Sequence, residues 1–575
     1  MYSFSDRHIG INNLDKTNML DYVGSKNIEE LISETIPKNI RLKKEMNLKP
    51  ALSEQEYLSH IEKLGKKNKI YKSYIGLGYN QAIVPSVIKR NILENPSWYT
   101  AYTPYQAEIA QGRMEALLNY QTIICDLTGM QLANASLLDE STAAAEAMTM
   151  LYSLRNREQK KNNVCNFFVS KSTLPQTISL LETRAAPLGI QIQIGDFEQF
   201  QYDSSFYGCL MQYPGVFGDI KDIEKHCSNA KNNNIKIVVA ADLFSLCLLK
   251  KPSQFGADVV VGTSQRFGIP LGYGGPHAAY FATKDEYKRS VPGRIIGLTK
   301  DSDDDPALRM ALQTREQHIK RDRATSNICT SQVLLAVMAG MYGVFHGPKG
   351  LKEIAASIHK KTAILERNLT KIGVKQHNKY FFDTLLLDGP TKKIKKIAEL
   401  NKINFNYINE KHFSISLNET TSIKDVQKIV DTIAKALNID LFEIDLNDIT
   451  NRFPDKLKRE SKFMDSEVFN KYHSETALMR YIKNLERKDL SLTHSMISLG
   501  SCTMKLNAAS EMLPISWAKW NNIHPFVPLN QARGYQKLIK KLENQLNEIT
   551  GFSGTSLQPN SGAQGEYAGL MVIRA

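Results

Sequence analysis

The 575-residue sequence lacks a hydrophobic run long enough to cross a bilayer. Its longest apolar stretch, residues 334–345, is well short of the ~20 residues that a membrane helix needs, and it predicts a buried helix. The first ten residues contain neither an apolar core segment nor an Arg- and Ser-rich, acid-free segment. We therefore expect no membrane association, no signal or transit peptide, and a cytoplasmic location.

Cysteine is also scarce, with seven residues and no CxxC pair. This spacing argues against a disulfide framework and a structural zinc site, and we expect no metal. Acidic residues (59) are outnumbered by Lys and Arg (73), which gives a formal net charge of +14. The lysines are dispersed, as over residues 392–402, so a nucleic-acid partner is not expected. A positive field would instead favour encounter with acidic partners or anionic substrates, although a lysine-rich composition alone is an alternative explanation.

Apolar segments that alternate with helical patterns begin near residue 163 and predict an α/β fold with a mainly parallel sheet, covered on both faces. A different order of helix and strand candidates over 351–440 predicts a small α+β domain. The predicted divisions are a helical arm 1–45, a large α/β domain 46–330, a small α+β domain 331–446, a helical connector 447–490, and the start of a second copy 491–575.

The sequence repeats itself weakly at one constant offset of 422 residues, without a gap. The matched positions are Trp98 with Trp520, Ala110 with Ala532, Gly112 with Gly534, Thr128 with Thr550, and Gly129 with Gly551. Because the identities are few, chance is an alternative to duplication. If the repeat is genuine, the second copy is incomplete by roughly 300 residues.

A Ser/Gly/Ala turn before an apolar helix, at 561–564, offers free backbone N–H groups and the positive end of a helix dipole. Such a turn can bind a phosphate, although turns of this kind usually only cap helices. At the same offset the first copy has Asp139 and Glu140. Two carboxylates satisfy the dipole themselves and repel phosphate. We therefore expect the first copy to have lost anion binding at this point.

Asp242 follows an apolar strand candidate and precedes Arg266 by 24 residues. In type I pyridoxal-phosphate enzymes a strand-end Asp pairs with the pyridine nitrogen, and a later lysine forms the Schiff base. No lysine lies between Lys251 and Lys284, and the guanidinium of Arg266 is not a nucleophile. Asp242 could also be an ordinary strand-end carboxylate. Together with Asp139 and Glu140, this pattern favours a non-catalytic first copy.

Five motifs together resemble the P-protein family of the glycine cleavage system, glycine dehydrogenase (decarboxylating). They lie at residues 6–10, 98–113, 136–146, 312–327 and 500–507. The resemblance implies two homologous halves with the type I pyridoxal-phosphate-dependent transferase (aspartate aminotransferase-like) fold, of which only the second carries the Schiff-base lysine. It also implies that glycine is decarboxylated on pyridoxal 5'-phosphate and that the aminomethyl group passes to the lipoyl arm of H-protein.

The resemblance also implies the site residues. The phosphate-binding turn would be Ser561, Gly562, Ala563 and Gln564. The substrate pocket would be lined by Tyr99, Tyr102, Thr103, Tyr105, Thr503, Lys505, Asn507 and His524. Because no catalytic lysine follows the turn, we expect this chain to be inactive alone. We also expect it to assemble, either as a homodimer or as a dimer of the two homologous halves. The alternatives are a non-catalytic subunit that lines the active site of a separate lysine-bearing half, and another type I enzyme such as a cysteine desulfurase.

Overall fold

The computed structural model describes residues 4–8, 10–100, 103–315, 317–321, 324, 332–447, 453–496 and 506–575. The described chain forms two compact units. One contains Met1–Lys69, Asn507–Trp520 and Pro528–Ala575; the other contains Ile70–Leu506 and Asn521–Val527. The domain limits predicted from the sequence remain predictions, because this division follows packing and not the order of the chain.

The described strands all lie in the second unit. They are β1 (Lys72–Tyr74), β2 (Leu132–Ala133), β3 (Asn166–Ser170), β4 (Gln191–Gly195), β5 (Phe206–Tyr213), β6 (Lys236–Ala241), β7 (Val259–Thr263), β8 (Ala279–Thr283), β9 (Ile295–Lys300), β10 (Pro306–Ala311), β11 (Thr384–Asp388), β12 (Ile403–Tyr407) and β13 (His412–Ser416).

The helices are distributed over both units. They are α1 (Ser5–His8), α2 (Asn13–Val23), α3 (Ile28–Thr35), α4 (Glu54–Gly65), α5 (Ser86–Ile88), α6 (Pro96–Tyr99), α7 (Gln111–Thr128), α8 (Glu140–Ser153), α9 (Arg157–Lys161), α10 (Pro175–Ala185), α11 (Glu224–Asn232), α12 (Pro252–Phe255), α13 (Gln317–Lys320), α14 (Val333–Lys371), α15 (Thr391–Leu400), α16 (Ile423–Leu437), α17 (Glu475–Glu486), α18 (Ala509–Met512), α19 (Ala518–Asn521), α20 (Arg533–Thr550) and α21 (Gly562–Arg574). None of these described helices is both long and apolar enough to serve as a membrane span.

The large sheet has the strand order β2-β8-β7-β6-β5-β3-β4, as far as the chain is described. Its five strands from β7 to β4 run parallel, and β8 is antiparallel to β7. Along β6 the buried side chains alternate between two cores, with Val239 on the face of α7 and α14, and Val238 and Ala240 on the face of α8 and α10. The predicted α/β fold with a mainly parallel, doubly covered sheet is confirmed.

The small α+β domain is built on a second sheet with the order β1-β12-β13-β11. Its amphipathic helix α16 begins at a capping box, in which the side chain of Ser422 and that of Asp425 each accept from the other residue's backbone N–H. The sequence does not indicate that β1 joins this sheet, where it pairs parallel with β12. Helix α14 passes from the core of the large sheet into that of the small domain, and it kinks where Gly347 (φ 63°) precedes Pro348.

The predicted helical connector, 447–490, is helical over a much shorter stretch than expected. Within its described part, 453–490, α17 is the only α-helix, and it is preceded by extended chain with two short 3₁₀ turns. Phe453, Leu457 and Phe469 of this extended chain are buried in the core beside α7 and α14. Packing against that core therefore overrides the charged, helix-compatible composition from which a helix is expected.

The cysteines of the described chain are free thiols. They are Cys125, Cys165, Cys209, Cys227 and Cys247. Cys329 and Cys502 lie outside the described residues.

Helices recur at the offset of 422 residues, with starts at matching positions. Helices α7 and α20 each have 18 residues, begin after a non-helical alanine, and end at a left-handed glycine, Gly129 or Gly551, with φ 73° in both. At the same offset, α6 precedes α7 as α19 precedes α20, and α8 and α21 begin after the capping residues Asp139 and Ser561. The local structure of these helices thus repeats along the described chain.

Candidate functional site

The candidate site lies at the carboxyl ends of two neighbouring parallel strands of the large sheet. β6 is followed at once by Asp242, and β7 leads into the loop that carries Arg266. The carboxyl ends of parallel strands share one edge of a sheet, where ligands of open α/β sheets usually bind. The fold therefore brings the two residues together, and Asp242 occupies the strand-end position expected for it.

Arg266 is held between two carboxylates. Its Nη1 lies 3.1 Å from Oδ2 of Asp242 and 2.5 Å from Oδ2 of Asp383, and its side chain is only 6% exposed. Burial opposes the charge, but the two carboxylates hold the pKa of the Arg266 guanidinium above its ordinary value. The rings of Phe244 and Phe382 lie 5.3 and 5.7 Å from the guanidinium carbon. Arg266 is therefore a fixed, permanently charged partner of these carboxylates.

The start of α8 adds two further carboxylates to this region. Asp139 caps the helix by accepting a hydrogen bond from the Thr142 N–H at 2.7 Å. Glu140 is buried and accepts a hydrogen bond from Nε2 of Gln212 at 3.1 Å. Burial raises the pKa of Glu140 to about 7. Asp139 thus caps the helix start as an acidic side chain, whereas the carboxylate of Glu140 is engaged by Gln212.

A small cavity of about 70 Å³ lies beside the ion pair. It is lined by Gly76, Leu77, Gly78, Asn80, Glu140, Leu174, Gln212, Pro214, Gly215, Val216, Asp242, Thr263, Arg266, Asp383, Thr384 and Ser416. Pockets that bind cofactors usually measure ~300–1,000 Å³. The cavity has room for roughly two water molecules, so its residues do not fit pyridoxal phosphate.

The loop 76–80 covers this cavity. Gly76 has φ +69°, and a Cβ added to it would lie 2.6 Å from the Cβ of Ser416, so the close approach requires glycine. Gln265 fastens the far end of the loop, because it donates from Nε2 to the Asn80 carbonyl (2.7 Å) and accepts from the Asn80 N–H (3.0 Å). The far end of this loop is therefore held in place by a buried side chain.

His524 is buried against the same loop. Its Nε2 lies 3.1 Å from the carbonyl oxygen of Gly76 and 3.2 Å from that of Tyr79, and its Nδ1 accepts from the Phe526 N–H at 3.1 Å. These partners require a proton on Nε2 and none on Nδ1. Burial lowers the pKa of His524 to about 4. The imidazole is therefore neutral near pH 7 and fixes residues 523–526 against the loop.

Tyr99, Thr103 and Tyr105, which are predicted to line the substrate pocket, do not line this cavity. Tyr99 ends α6, and Thr103 is 5% exposed. Tyr105 accepts a hydrogen bond from Nη2 of Arg294 at 2.7 Å, and the guanidinium lies 5.2 Å from the ring centre. Tyr102 lies outside the described residues.

Three of the predicted pocket residues lie close together in sequence, at positions 503–507. In the first compact unit, Asn507 is exposed and donates to Sδ of Met512 at 3.7 Å. Thr503 and Lys505 lie outside the described residues.

The turn at 561–564 has the conformation of a helix start. Ser561 caps α21 by accepting from the Gln564 N–H at 3.3 Å, and Oε1 of Gln564 accepts from the Asn560 N–H at 3.0 Å. The turn is largely exposed, and a Cβ added at Gly562 would meet nothing within 4 Å. Open space at a helix N-terminus suits a phosphate group, so the second-copy turn fits one where the first-copy turn does not.

Comparison with known proteins supplies the family. A family model described as "Glycine cleavage system P-protein" matches residues 6–433. The chain belongs to this P-protein family. It is 62% identical over its whole length to "Glycine dehydrogenase (decarboxylating)" of Christiangramia forsetii and 60% identical to the protein of that name from Flavobacterium johnsoniae. The chain spans 60% of the length of each of these relatives.

A solved structure supports the same P-protein assignment. The crystal structure of a glycine decarboxylase (P-protein) of the glycine cleavage system, in inhibitor-bound form, has a TM-score of 0.69 at 27% identity. The match covers 75% of this chain and 99% of that chain. The fold predicted from the sequence is therefore the fold of the family.

Sequence reasoning misses two residues of this P-protein site. Asp383 lies 117 positions after Arg266 and comes from the small domain. Gln212, near the end of β5, holds Glu140. The position of Gln212 at the carboxyl end of a predicted strand could have identified it. For Asp383 the sequence offers no signal, because only the folding of the small domain over the large one brings it to Arg266.

Proposed function

We propose that this chain is the cofactor-free first half, with the beginning of the cofactor-binding half, of a P-protein that decarboxylates glycine. One observation carries the proposal: beside the strand-end Asp242, where a Schiff-base lysine would be needed, the chain has a buried, ion-paired arginine. The name of the relatives, glycine dehydrogenase (decarboxylating), supports the reaction. In this proposal the first half has a structural role, and none of its side chains forms a covalent bond with the substrate or the cofactor.

Pyridoxal phosphate, the cofactor that the family implies, supplies an electron sink for loss of the glycine carboxylate when it is bound. Ser561, Gly562, Ala563 and Gln564 would hold its phosphate group. The turn presents backbone N–H groups at the start of α21, and Ser561 fixes the first turn of that helix. The proposal assigns no cofactor to the first half, because its cavity is too small and its helix start already carries carboxylates.

The other predicted residues have binding and positioning roles in this proposal. The residues proposed to line the substrate pocket are Tyr99, Tyr102, Thr103, Tyr105, Thr503, Lys505 and Asn507. Arg294 orients the Tyr105 ring, and neutral His524 holds the loop 76–80 in place. His524 is thus a positioning residue, because its two ring nitrogens are engaged with backbone groups.

The proposed acceptor of the aminomethyl group is the lipoyl arm of H-protein. The net charge of +14 would speed encounter with an acidic carrier. The alternative function is a non-catalytic subunit that lines the active site of a separate lysine-bearing half. Both functions require assembly, either between homologous halves or between two copies of the chain.

Exchange of labelled carbon dioxide into glycine tests the decarboxylase proposal. The purified chain is mixed with a lysine-bearing second half from a relative, pyridoxal phosphate and lipoylated H-protein. We expect exchange only when both halves are present. If the second half is equally active alone, the first half is dispensable and the proposal is wrong.

Borohydride reduction tests the claim that the first half binds no cofactor. The chain is incubated with pyridoxal phosphate, reduced, digested and analysed for pyridoxyl-lysine. We expect no stoichiometric adduct on any lysine in residues 70–447. A single-site adduct at Lys251 or Lys284, the lysines that flank Arg266 in sequence, would contradict the claim.

A further inference from the structure

Three potential metal ligands converge on the surface of the small domain, away from the ion pair of Arg266. Nε2 of His377 lies 2.5 Å from Oδ1 of Asp388, and Nδ1 of His412 lies 2.8 Å from the same oxygen. The ring centres of the two histidines are 5.5 Å apart, and the ring planes are inclined by 83°. Two imidazole nitrogens thus point at one carboxylate from different directions.

The backbone holds these three residues on one face of the sheet. Asp388 is directly opposite His412 in the antiparallel pair of β11 and β13. On the other side of β11, Gln376 pairs with Leu387, and the His377 N–H donates to the Leu386 carbonyl. His377 therefore sits diagonally from Asp388 on the same face. The cluster follows from strand register and not from a flexible loop.

We propose that His377, Asp388 and His412 form a binding site for a divalent transition metal ion of the zinc class. Imidazole nitrogens with one carboxylate oxygen are a common ligand set for Zn²⁺, and an open fourth position then takes water or another ligand. The side chains of His377, Asp388 and His412 are 29%, 37% and 39% exposed, so an ion can reach them from solvent.

Small rotations are enough to convert the cluster into a coordination sphere. With metal–ligand bonds of ~2.0–2.1 Å, the ligand atoms of a tetrahedral site are about 3.3 Å apart. The present separations of 2.5 and 2.8 Å from the shared oxygen are slightly shorter. Because all three side chains are partly exposed, they can separate by these fractions of an ångström without moving the strands.

The site is independent of the proposed decarboxylation and departs from the expectation of no metal drawn from the sequence. That expectation rests on sequence spacing, whereas these ligands come from three separate strand segments. Bound metal would fasten the segment around His377 to β11 and β13. Without metal, the same geometry is a His–Asp–His hydrogen-bonding network, which is the competing explanation.

Titration with Zn²⁺ alone decides between the two explanations. The whole chain is stripped with a chelator and titrated calorimetrically, and Co²⁺ is used as a spectroscopic probe of geometry. We expect one strong equivalent of Zn²⁺ per chain and visible absorption typical of four-coordinate Co²⁺. We expect His377→Ala and Asp388→Asn each to weaken binding at least tenfold, while His60→Ala, a partly exposed histidine of the other compact unit, leaves it unchanged.

Thermal unfolding provides a second measurement and checks that the variants fold. A ligand that binds only the folded chain raises its Tm. We expect Zn²⁺ to raise the Tm of the parent and of His60→Ala but not of His377→Ala, with similar Tm values for all three in chelator. Equal Zn²⁺ affinity in the parent and in both ligand variants, or no strong equivalent in the parent, would overturn the proposal.

Discussion

Asp489 accepts a hydrogen bond from the backbone N–H of Gly112 at 2.7 Å, across 377 residues of sequence. The same carboxylate accepts from the Arg113 N–H at 3.2 Å and pairs with the Arg113 guanidinium at 2.7 Å. It therefore satisfies the start of α7, which has no side-chain cap of its own. Asn68 does the same for α20, because its Oδ1 accepts from the N–H groups of Gly534 (2.7 Å) and Tyr535 (3.3 Å).

Replacement of Asp489 with alanine should strongly destabilise the second compact unit. The change removes the cap of α7 and leaves the buried Arg113 without its carboxylate, so we expect a loss of ~3 kcal/mol or more in free energy of unfolding. Denaturant unfolding followed by circular dichroism measures it. Lys488→Ala, which breaks an exposed pair with Glu115, is the control and should cost less than ~1 kcal/mol. Similar losses in the two variants would show that the cap contributes little.

Alanine in place of Gly112 or Gly534 should also be destabilising, for a steric reason. The new Cβ would lie 1.9 Å from the Leu485 carbonyl oxygen at position 112, and 2.6 Å from the Leu64 carbonyl oxygen at position 534. Both partners are backbone atoms, so the helices must move apart, which costs about 1–3 kcal/mol. Gly569→Ala in α21, where nothing lies within 4 Å, should leave Tm unchanged or raise it. If neither Gly112→Ala nor Gly534→Ala lowered Tm, the close approach of these helix starts to the neighbouring backbone would be contradicted.

Removal of the Arg266 cation alone should lower the free energy of unfolding more than removal of the whole ion pair. Arg266→Met leaves the buried Asp383 carboxylate without its partner, which costs about 3–5 kcal/mol. The double variant Arg266→Met with Asp383→Asn should recover part of that loss. Arg266→Lys should yield no borohydride-reducible adduct with pyridoxal phosphate, because the cavity beside it measures about 70 Å³. A stoichiometric adduct in that variant would show that the cavity opens.

Glu140 should make the stability of the chain depend on pH. Burial raises the pKa of Glu140 to about 7, above the ~4.3 of an unfolded chain. The folded chain therefore holds this proton to a higher pH than the unfolded chain does. The stability that protonated Glu140 contributes is fully present below pH ~4.3 and is lost as the pH rises through 7. Glu140→Gln should remove that dependence, and its stability relative to the parent should rise by on the order of 3 kcal/mol between about pH 5 and pH 8. If the free energies of unfolding of the parent and of Glu140→Gln changed in parallel with pH, the raised pKa of Glu140 would be contradicted.

A second substitution separates burial from hydrogen bonding at Glu140. The donation from Gln212 favours the ionised carboxylate and opposes the effect of burial on the pKa. Gln212→Met should therefore move the loss of stability to higher pH, whereas a variant with an unchanged midpoint would show that this hydrogen bond has no electrostatic role.

Sequence reasoning predicts best what depends on local pattern. Helix α16 lies in the segment 351–440 that is predicted as α+β, and its apolar stripe and the capping box at Ser422 are both local features of the sequence. Strands β6 and β7 follow from their apolar runs, which fully buried parallel strands require. The strand-end place of Asp242 and the acidic start of α8 follow from these elements.

What could not be predicted depends on distant pairing. Asp383 reaches Arg266 only through the packing of two domains, and β1 joins β12 across several hundred residues of chain, as the pairing of Lys72 with Ile403 shows. The helical connector expected over 447–490 is helical only over α17 within its described part, since burial of Leu457 and Phe469, and not helix propensity, sets the conformation of the preceding chain. Single-sequence patterns carry little information about such contacts.

The crossed caps at Asp489 and Asn68 restrict how the gene for such a protein can be divided. A break between α16 and α17 would give two polypeptides, each translated with the start of one helix left unsatisfied. The upstream product would lack Asp489, and the downstream product would lack Asn68. Each product would be less stable alone than together with the other, because association would restore the missing cap.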